Sequence, residues 1–341
     1  MSGFTLGLVI LGGLVLALLV AWNAWTARRN TPLQAQATPL HDAPPQPQER
    51  SEPVFDDAPL APLPPPERKP ALDALIDVLA PIGVDAPVSG EAALAALPPT
   101  RRAGSKPFAV EGRNEATQEW ETPRAGQRYA GFQAGVQLAN RSGALNDIEY
   151  SEFVMKAQAF ADGINGAPEF PEMRDEVARA RELDQFASTH DAQLGFTLRA
   201  RNAAWSPGYV QQSAARLGFV AGAMPGRLVL PAGAPGIPPL LVLAFSTQAA
   251  LSEDPAHSAI REVTLSLDVP HVPRTEQPFV RMRDAAIALA ASMDGLITDD
   301  NGRVIPAEAL DAIGADLEQL YDTLDARDLS AGSAQARRLF S

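Results

Sequence analysis

The residues of this chain that are equipped for chemistry are few and poorly matched to one another. Four histidines, His41, His190, His257 and His271, have no second histidine or carboxylate at ligand spacing, so they read as solvated loop side chains rather than a metal site or a triad. Asp299, Asp300, Asn301 and Gly302 resemble the opening of a calcium loop, but the twelfth position falls on Leu310 where a glutamate would close the coordination. A hairpin turn explains those four residues better. The glycine clusters at 163–166 and 233–236 lack the strand-to-helix setting and the lysine of a phosphate loop, and they too read as turns. With no cysteine in the chain, disulfides and thiolate chemistry are excluded. Arg101, Arg102 and Lys106 form the clearest basic cluster, which reads as a solvated loop, with lipid headgroups or an acidic partner as the alternative. No nucleophile and base pair stands out, so the expectation is a protein that is not an enzyme and takes no metal, cofactor or small-molecule substrate. A net charge of -13 opposes binding to nucleic acid or to anionic lipid through the soluble part.

Docking, rather than bond-making, is therefore the chemistry to be positioned, and three regions are available to position it. Residues 4–25 carry no charge and, at about 1.5 Å per helical residue, are long enough for a ~30 Å hydrocarbon core. No basic n-region precedes the apolar run and no A-x-A site follows it, which favours an uncleaved anchor over a signal peptide. Trp22 and Trp25 suit the aromatic belt, and Arg28 and Arg29 follow at once, so the bulk of the chain is expected on the cytoplasmic side. Residues 28–70 are rich in Pro, Gln and Ala and are expected to be a disordered, stiffened tether. The P-x-x-P stretch within it reads as spacer before it reads as a ligand.

Beyond Pro70 the pattern turns globular, and α+β. Residues 74–82 read as a strand, and a short helix capped near Ser89 stops at Pro98. Two alternating strands follow; then a helix begins at Asp147, with Ile148, Val154, Met155 and Ala159 as its buried stripe, and a second covers 172–187. The order recurs downstream: a strand at 194–202, a helix at 207–217, strands at 226–232, 239–246 and 263–270, a long helix at 278–293, a strand pair turning at Asn301 and Gly302, and a helix at 306–324. Val136 to Leu138 matches Leu267 to Val269, and Asp162 with Gly163 matches Asp294 with Gly295, at an offset of about 131 to 132. Gly90 and Gly208 open the two short helices at a smaller offset, so the first copy lacks about one strand. The expectation is a pair of tandem split β-α-β units, each an antiparallel sheet covered by helices on one face. The boundaries read as anchor 1–27, linker 28–70, first unit 71–190, second unit 191–330 and flexible tail 331–341.

The second unit resembles the C-terminal domain of the ZipA family of membrane-anchored cell-division proteins. The residues that carry the resemblance are Arg216 to Gly222, Val263 to Pro270 and Gly295 to Leu310, and it extends over roughly 192–324. The layout of anchor, Pro-rich linker and globular domain is similar as well. The resemblance implies a single-pass protein of the bacterial inner membrane, with its N-terminus periplasmic and its C-terminal domain cytoplasmic. It also implies a hydrophobic groove on the open sheet face that takes the C-terminal segment of FtsZ, tethering or stabilising the FtsZ ring. Carried over by strand order, that face would hold Leu241, Leu243, Phe245 and Thr247 on one strand and Thr264, Ser266 and Asp268 on the next, with Leu228 and Leu230 at its border. Ser266 stands where the family shows a large aromatic side chain, a replacement worth about 2 to 4 kcal/mol of binding. A scaffold of the same fold docking a different division or envelope protein is therefore the alternative. In the first unit Gln133, Gly135 and Gln137 lie opposite Phe132, Val136 and Leu138.

Overall fold

The computed structural model describes residues 32–35, 72–233, 237–254 and 258–341. The expected anchor at 4–25 and all of the linker except 32–35 lie outside the described residues. Among the described residues no helix is long and apolar enough to cross a membrane. The fold is mixed α+β with antiparallel sheets, and its contacts cluster into two compact units that divide between Thr189 and His190.

In the N-terminal unit, β1 (Asp77–Val84), β2 (Val88–Ser89), α1 (Gly90–Ala96), β3 (Arg102–Ala103), β4 (Lys106–Asn114), β5 (Trp120–Glu121) and β6 (Arg128–Gln137) are followed by the short pair β7 (Ala139–Asn140) and β8 (Gly143–Ala144), then α2 (Asp147–Gly163), β9 (Gly166–Pro168) and α3 (Met173–His190). The main sheet runs β3-β4-β6-β1-β9. Period-two alternation sends Phe108, Val110, Phe132, Ala134 and Val136 to one face, where Phe132 meets Phe160 of α2 edge-on at 5.3 Å. Asn146 and Glu149 close a capping box that starts α2. The buried stripe of α2 is not the expected one. Tyr150, Phe153, Ala157, Phe160 and Ala161 face the sheet, whereas Ile148 and Met155 are 81% and 64% exposed. Every third or fourth position of this helix carries an apolar residue on more than one face, so spacing alone chose the wrong side.

In the C-terminal unit, β10 (Gln193–Ala200), α4 (Pro207–Ala215), β11 (Val220–Ala221), β12 (Arg227–Leu230), β13 (Leu241–Ala244), α5 (Thr247–Ala250), β14 (Glu262–Asp268), α6 (Pro278–Met293), β15 (Gly295–Thr298), α7 (Ala307–Asp325) and α8 (Ala334–Leu339) follow in order. The sheet runs β11-β12-β13-β14-β10-β15. Phe196 on β10 meets Phe279 of α6 at 6.4 Å, which marks the covered face. Residues 331–341, expected to be a flexible tail, instead form α8, with Ala336, Leu339 and Phe340 buried. Gly332 N–H binds Pro270 O at 2.8 Å and seats this end of the chain. The linker expectation also needs correction at one point. Leu33 bridges Trp205 in parallel, its N–H donating to Ala204 O at 2.7 Å and its carbonyl accepting from Ser206 at 2.9 Å.

The two units share registers. Asp77 at the start of β1 pairs with Gln137 of β6, as Gln193 at the start of β10 pairs with Asp268 of β14. Ser89 and Ser206 cap α1 and α4, each accepting an N–H three residues on. Asn165 and Asp294 both adopt left-handed backbone, at φ 54° and 51°, just before the glycine that opens the closing strand. The equivalent of Asp294 and Gly295 is thus Asn165 and Gly166, three residues later than the pairing of Asp162 with Gly163 expected from sequence.

Trp205 is fully buried in the C-terminal unit, and its Nε1–H binds Met293 O at 2.6 Å where α6 ends. Trp205→Ala should therefore cost about 3 to 5 kcal/mol of that unit's stability. Denaturant unfolding of the full chain followed by circular dichroism checks this, and a loss below about 1 kcal/mol would contradict the anchoring role.

Candidate functional site

The face of the C-terminal sheet opposite α6 is where the resemblance would place a ligand, and backbone pairing decides what stands on it. Val242 pairs with Ser266 and Leu243 with Leu265, while Gly195 pairs with Ser266 and Phe196 with Leu265. On the other side Val229 pairs with Val242 and with Val220. One cross-strand row on the open face thus reads Val220, Val229, Val242, Ser266, Gly195. The next row on the same face reads Arg227, Ala244, Thr264, Thr197 and Thr298, and it closes at the β15 end, where Thr298 is buried. Between them lies the covered row of Leu228, Leu243, Leu265 and Phe196, each under one-tenth exposed.

This register corrects the expected site. Thr264, Ser266 and Asp268 do lie on the open face, but Leu228, Leu230, Leu241 and Leu243 point to the helix side with Leu265 and Leu267. Their pairing with Leu265 and its neighbours leaves no other choice, because a slip of one residue would turn the whole strand over. Phe245 lies past the end of β13 and is buried, its N–H on Gly226 O at 2.9 Å. Thr247 is not in a strand at all: it opens α5, which Ser246 caps. The residues that sequence reasoning missed are Val229, Val242, Ala244, Gly195 and Thr197.

The open face is small-featured and nearly neutral along its middle. A Cβ built on Gly195 would meet no described atom within 4 Å, and Ser266 turns its hydroxyl into the ladder, donating to Val242 O at 3.3 Å. The result is a dent in the sheet, floored by Gly195 and edged by Ser266, with Val242 one strand further on. A groove of about 370 Å³ runs alongside it, walled by Pro238 and Pro239 on one side and by Gln193, Asp268 and His271 on the other. His271 is half-buried rather than a solvated loop residue, with Nδ1 3.6 Å from Asp268 and Nε2 2.9 Å from Phe340 O. Arg199 and Glu262 pair at 3.4 Å beyond the far end of the dent, so the charges of that edge are matched.

Two other places have the ingredients of a site. In the N-terminal unit, Lys106 Nζ donates to Ser105 Oγ at 2.9 Å and to Asn140 Oδ1 at 3.0 Å, a serine and lysine pair that adjacency in sequence had hidden. Burial holds the Lys106 ammonium below the usual lysine range, against the pull of Glu149. Ser105 Oγ, however, donates to Glu149 at 2.7 Å, and the N–H groups of Gly104 and Ser105 already bind Glu152 and Glu149 at 2.8 Å. No donor of that loop is left to hold an oxyanion, so the cluster clasps the β3–β4 hairpin to the start of α2. The second is a hollow of about 270 Å³ between α6 and α7, where Arg274 and Arg283 are taken up by acidic partners, Arg274 by Glu318 and Asp322 and Arg283 by Asp284 and Asp311. Among the described residues no group of three or more His, Cys, Asp or Glu side chains is placed to hold a metal ion.

No protein-family model matches the chain, and no curated protein matches its sequence. The site therefore rests on its own geometry. Because Gly195 sits in a strand with open space above it, Gly195→Val should fold normally and gain about 0.5 to 1 kcal/mol from the lower entropy of the unfolded chain. A thermal melt of the full chain reads this as an unchanged or slightly raised midpoint; a fall of several degrees would mean that the dent is not open.

Proposed function

We propose that the chain is a membrane-anchored division protein of the ZipA type, whose C-terminal open face receives the C-terminal segment of FtsZ. The observation that carries this reading is the row of Val229, Val242, Ser266 and Gly195, an apolar and uncharged strip on a sheet face that no described element covers. An extended or helical peptide would lay a few apolar side chains along it, with the deepest over Gly195. Residues 4–25 would supply the anchor in the bacterial inner membrane and residues 28–70 the tether, placing the globular part on the cytoplasmic side.

The two units are read as divergent tandem copies of one split β-α-β unit, with β1, β4, β6 and β9 answering to β10, β13, β14 and β15. Equivalent registers, caps and left-handed turn residues support this. The C-terminal copy carries the additional edge strand β11. Binding would be weak for each chain and would gain from number, since many tethers in one membrane face many tails on one filament.

A second reading has its own support. The strip is built from valine, serine and glycine, without the aromatic side chain that dominates such grooves, so a scaffold that docks another division or envelope protein fits the same face.

The test uses the full chain in nanodiscs and a fluorescent peptide of the FtsZ C-terminal segment. Saturable binding at or below about 100 µM is expected, with at least a tenfold loss for Gly195→Val and for Val242→Lys. Absence of binding at high micromolar peptide contradicts the FtsZ reading, and equal binding by both variants contradicts the face.

A further inference from the structure

The N-terminal sheet also turns one face away from its helix, but that face is not empty. Gln133 and Gly135 of β6 share it with Glu111 and Ala109 of β4 and with Leu79 and Pro81 of β1. The residues just before β1 fold back across it. A Cβ built on Gly135 would lie 2.5 Å from Leu72 Cδ2, so the leucine side chain occupies the space that a side chain at 135 would need. Leu72 N–H donates to Glu111 Oε1 at 3.1 Å, and Gln133 holds the other carboxylate oxygen at 2.8 Å. Asp73 N–H binds Asp77 Oδ2, Asp77 N–H returns to Asp73 O, and Leu75 N–H binds Asp73 Oδ1, all at 2.8 Å. These bonds close a turn over 73–77, and Leu72, just before it, is pressed into the glycine dent. In the C-terminal unit α3 reaches β10 through only Asp191 and Ala192, and among the described residues no atom lies within 4 Å of a Cβ built on Gly195.

We infer that the open face of the N-terminal sheet is a second peptide-docking groove, held shut by the chain's own 72–76 strap. The groove takes a peptide segment that offers a leucine-sized side chain to Gly135 and a backbone N–H to Glu111. The strap itself, a ligand of that chemistry seated on the face, specifies this occupant. The buried carboxylate of Glu111 sets the sign of the recognition: a donor satisfies it, whereas an acidic group in the dent would be repelled. A tethered strap acts at an effective concentration on the order of millimolar, so a free segment displaces it only when presented in many copies or when the strap is weakened. None of this depends on what the C-terminal face binds.

The test uses the full chain in detergent micelles and a fluorescent synthetic peptide with the sequence of residues 67–76. Leu72→Asp puts a carboxylate into the dent beside Glu111 and should release the strap. The variant should then bind the peptide at least tenfold more tightly than the wild-type chain, whose groove is filled. Leu72→Ala, the milder change, should fall between them. Adding Gly135→Leu to Leu72→Asp fills the dent from the sheet itself and should abolish the gain. Should Leu72→Asp lose amide protection on β4 and β6 in hydrogen exchange, the Leu72→Ala chain decides alone. Variants that keep their fold and bind no better than wild type, up to about 1 mM peptide, overturn the inference. So does a gain that survives Gly135→Leu.

Discussion

The pairing of Leu265 with Leu243 on one side and Phe196 on the other is the contact on which the rest of the C-terminal unit depends. It fixes which side of the pleat meets α6 through Phe196 and Phe279, and by the period of two it also fixes what is left over. Val229, Val242 and Ser266, half-buried, and Gly195, exposed, are turned away from α6 because their neighbours in sequence are needed in the core. The strip is thus a by-product of core formation, and its mild chemistry follows. Residues that stand for long in water on a sheet face are small, β-branched or hydroxylic, not large and aromatic.

The two units solve the same problem of a bare sheet face in different ways. Each carries a glycine in the middle of that face, which lowers the floor by one side chain. In the N-terminal unit Gly135 receives Leu72 and the dent is filled from within the chain. In the C-terminal unit no described atom lies within 4 Å of a Cβ built on Gly195. A filled dent adds apolar burial to its own unit, of the order of 1.5 to 3 kcal/mol for one leucine, while an empty one leaves that free energy for a ligand. The N-terminal unit stabilises itself with an interaction that the described C-terminal unit does not make.

Much of the element order was legible because its signals are local. Ser89 and Ser206 as caps, Pro278 at the first turn of α6 and Gly302 with its positive φ in the hairpin all act within a few residues of themselves. The phase of β14 was readable too, since its apolar and polar residues alternate. The phase of β13 was not, because every residue from Leu240 to Phe245 is apolar and either face satisfies the pattern. That ambiguity is why Leu241 and Leu243 were expected beside Ser266. The leucine strap, the Ser105 and Lys106 contact with Glu149 and the seating of α8 on Pro270 were hidden for a different reason. Each joins residues far apart in sequence or depends on a side-chain direction that spacing does not carry.

Which valines a ligand touches decides whether the uncovered strip is a docking face. With the full chain carrying labelled valine methyl groups in detergent micelles, a titration with the FtsZ C-terminal peptide should shift the methyl resonances of Val229 and Val242. That of Val263, buried on the other side of the same sheet, should stay in place. Shifts confined to the helix side, or none at saturating peptide, would contradict the claim that the uncovered strip is the docking face.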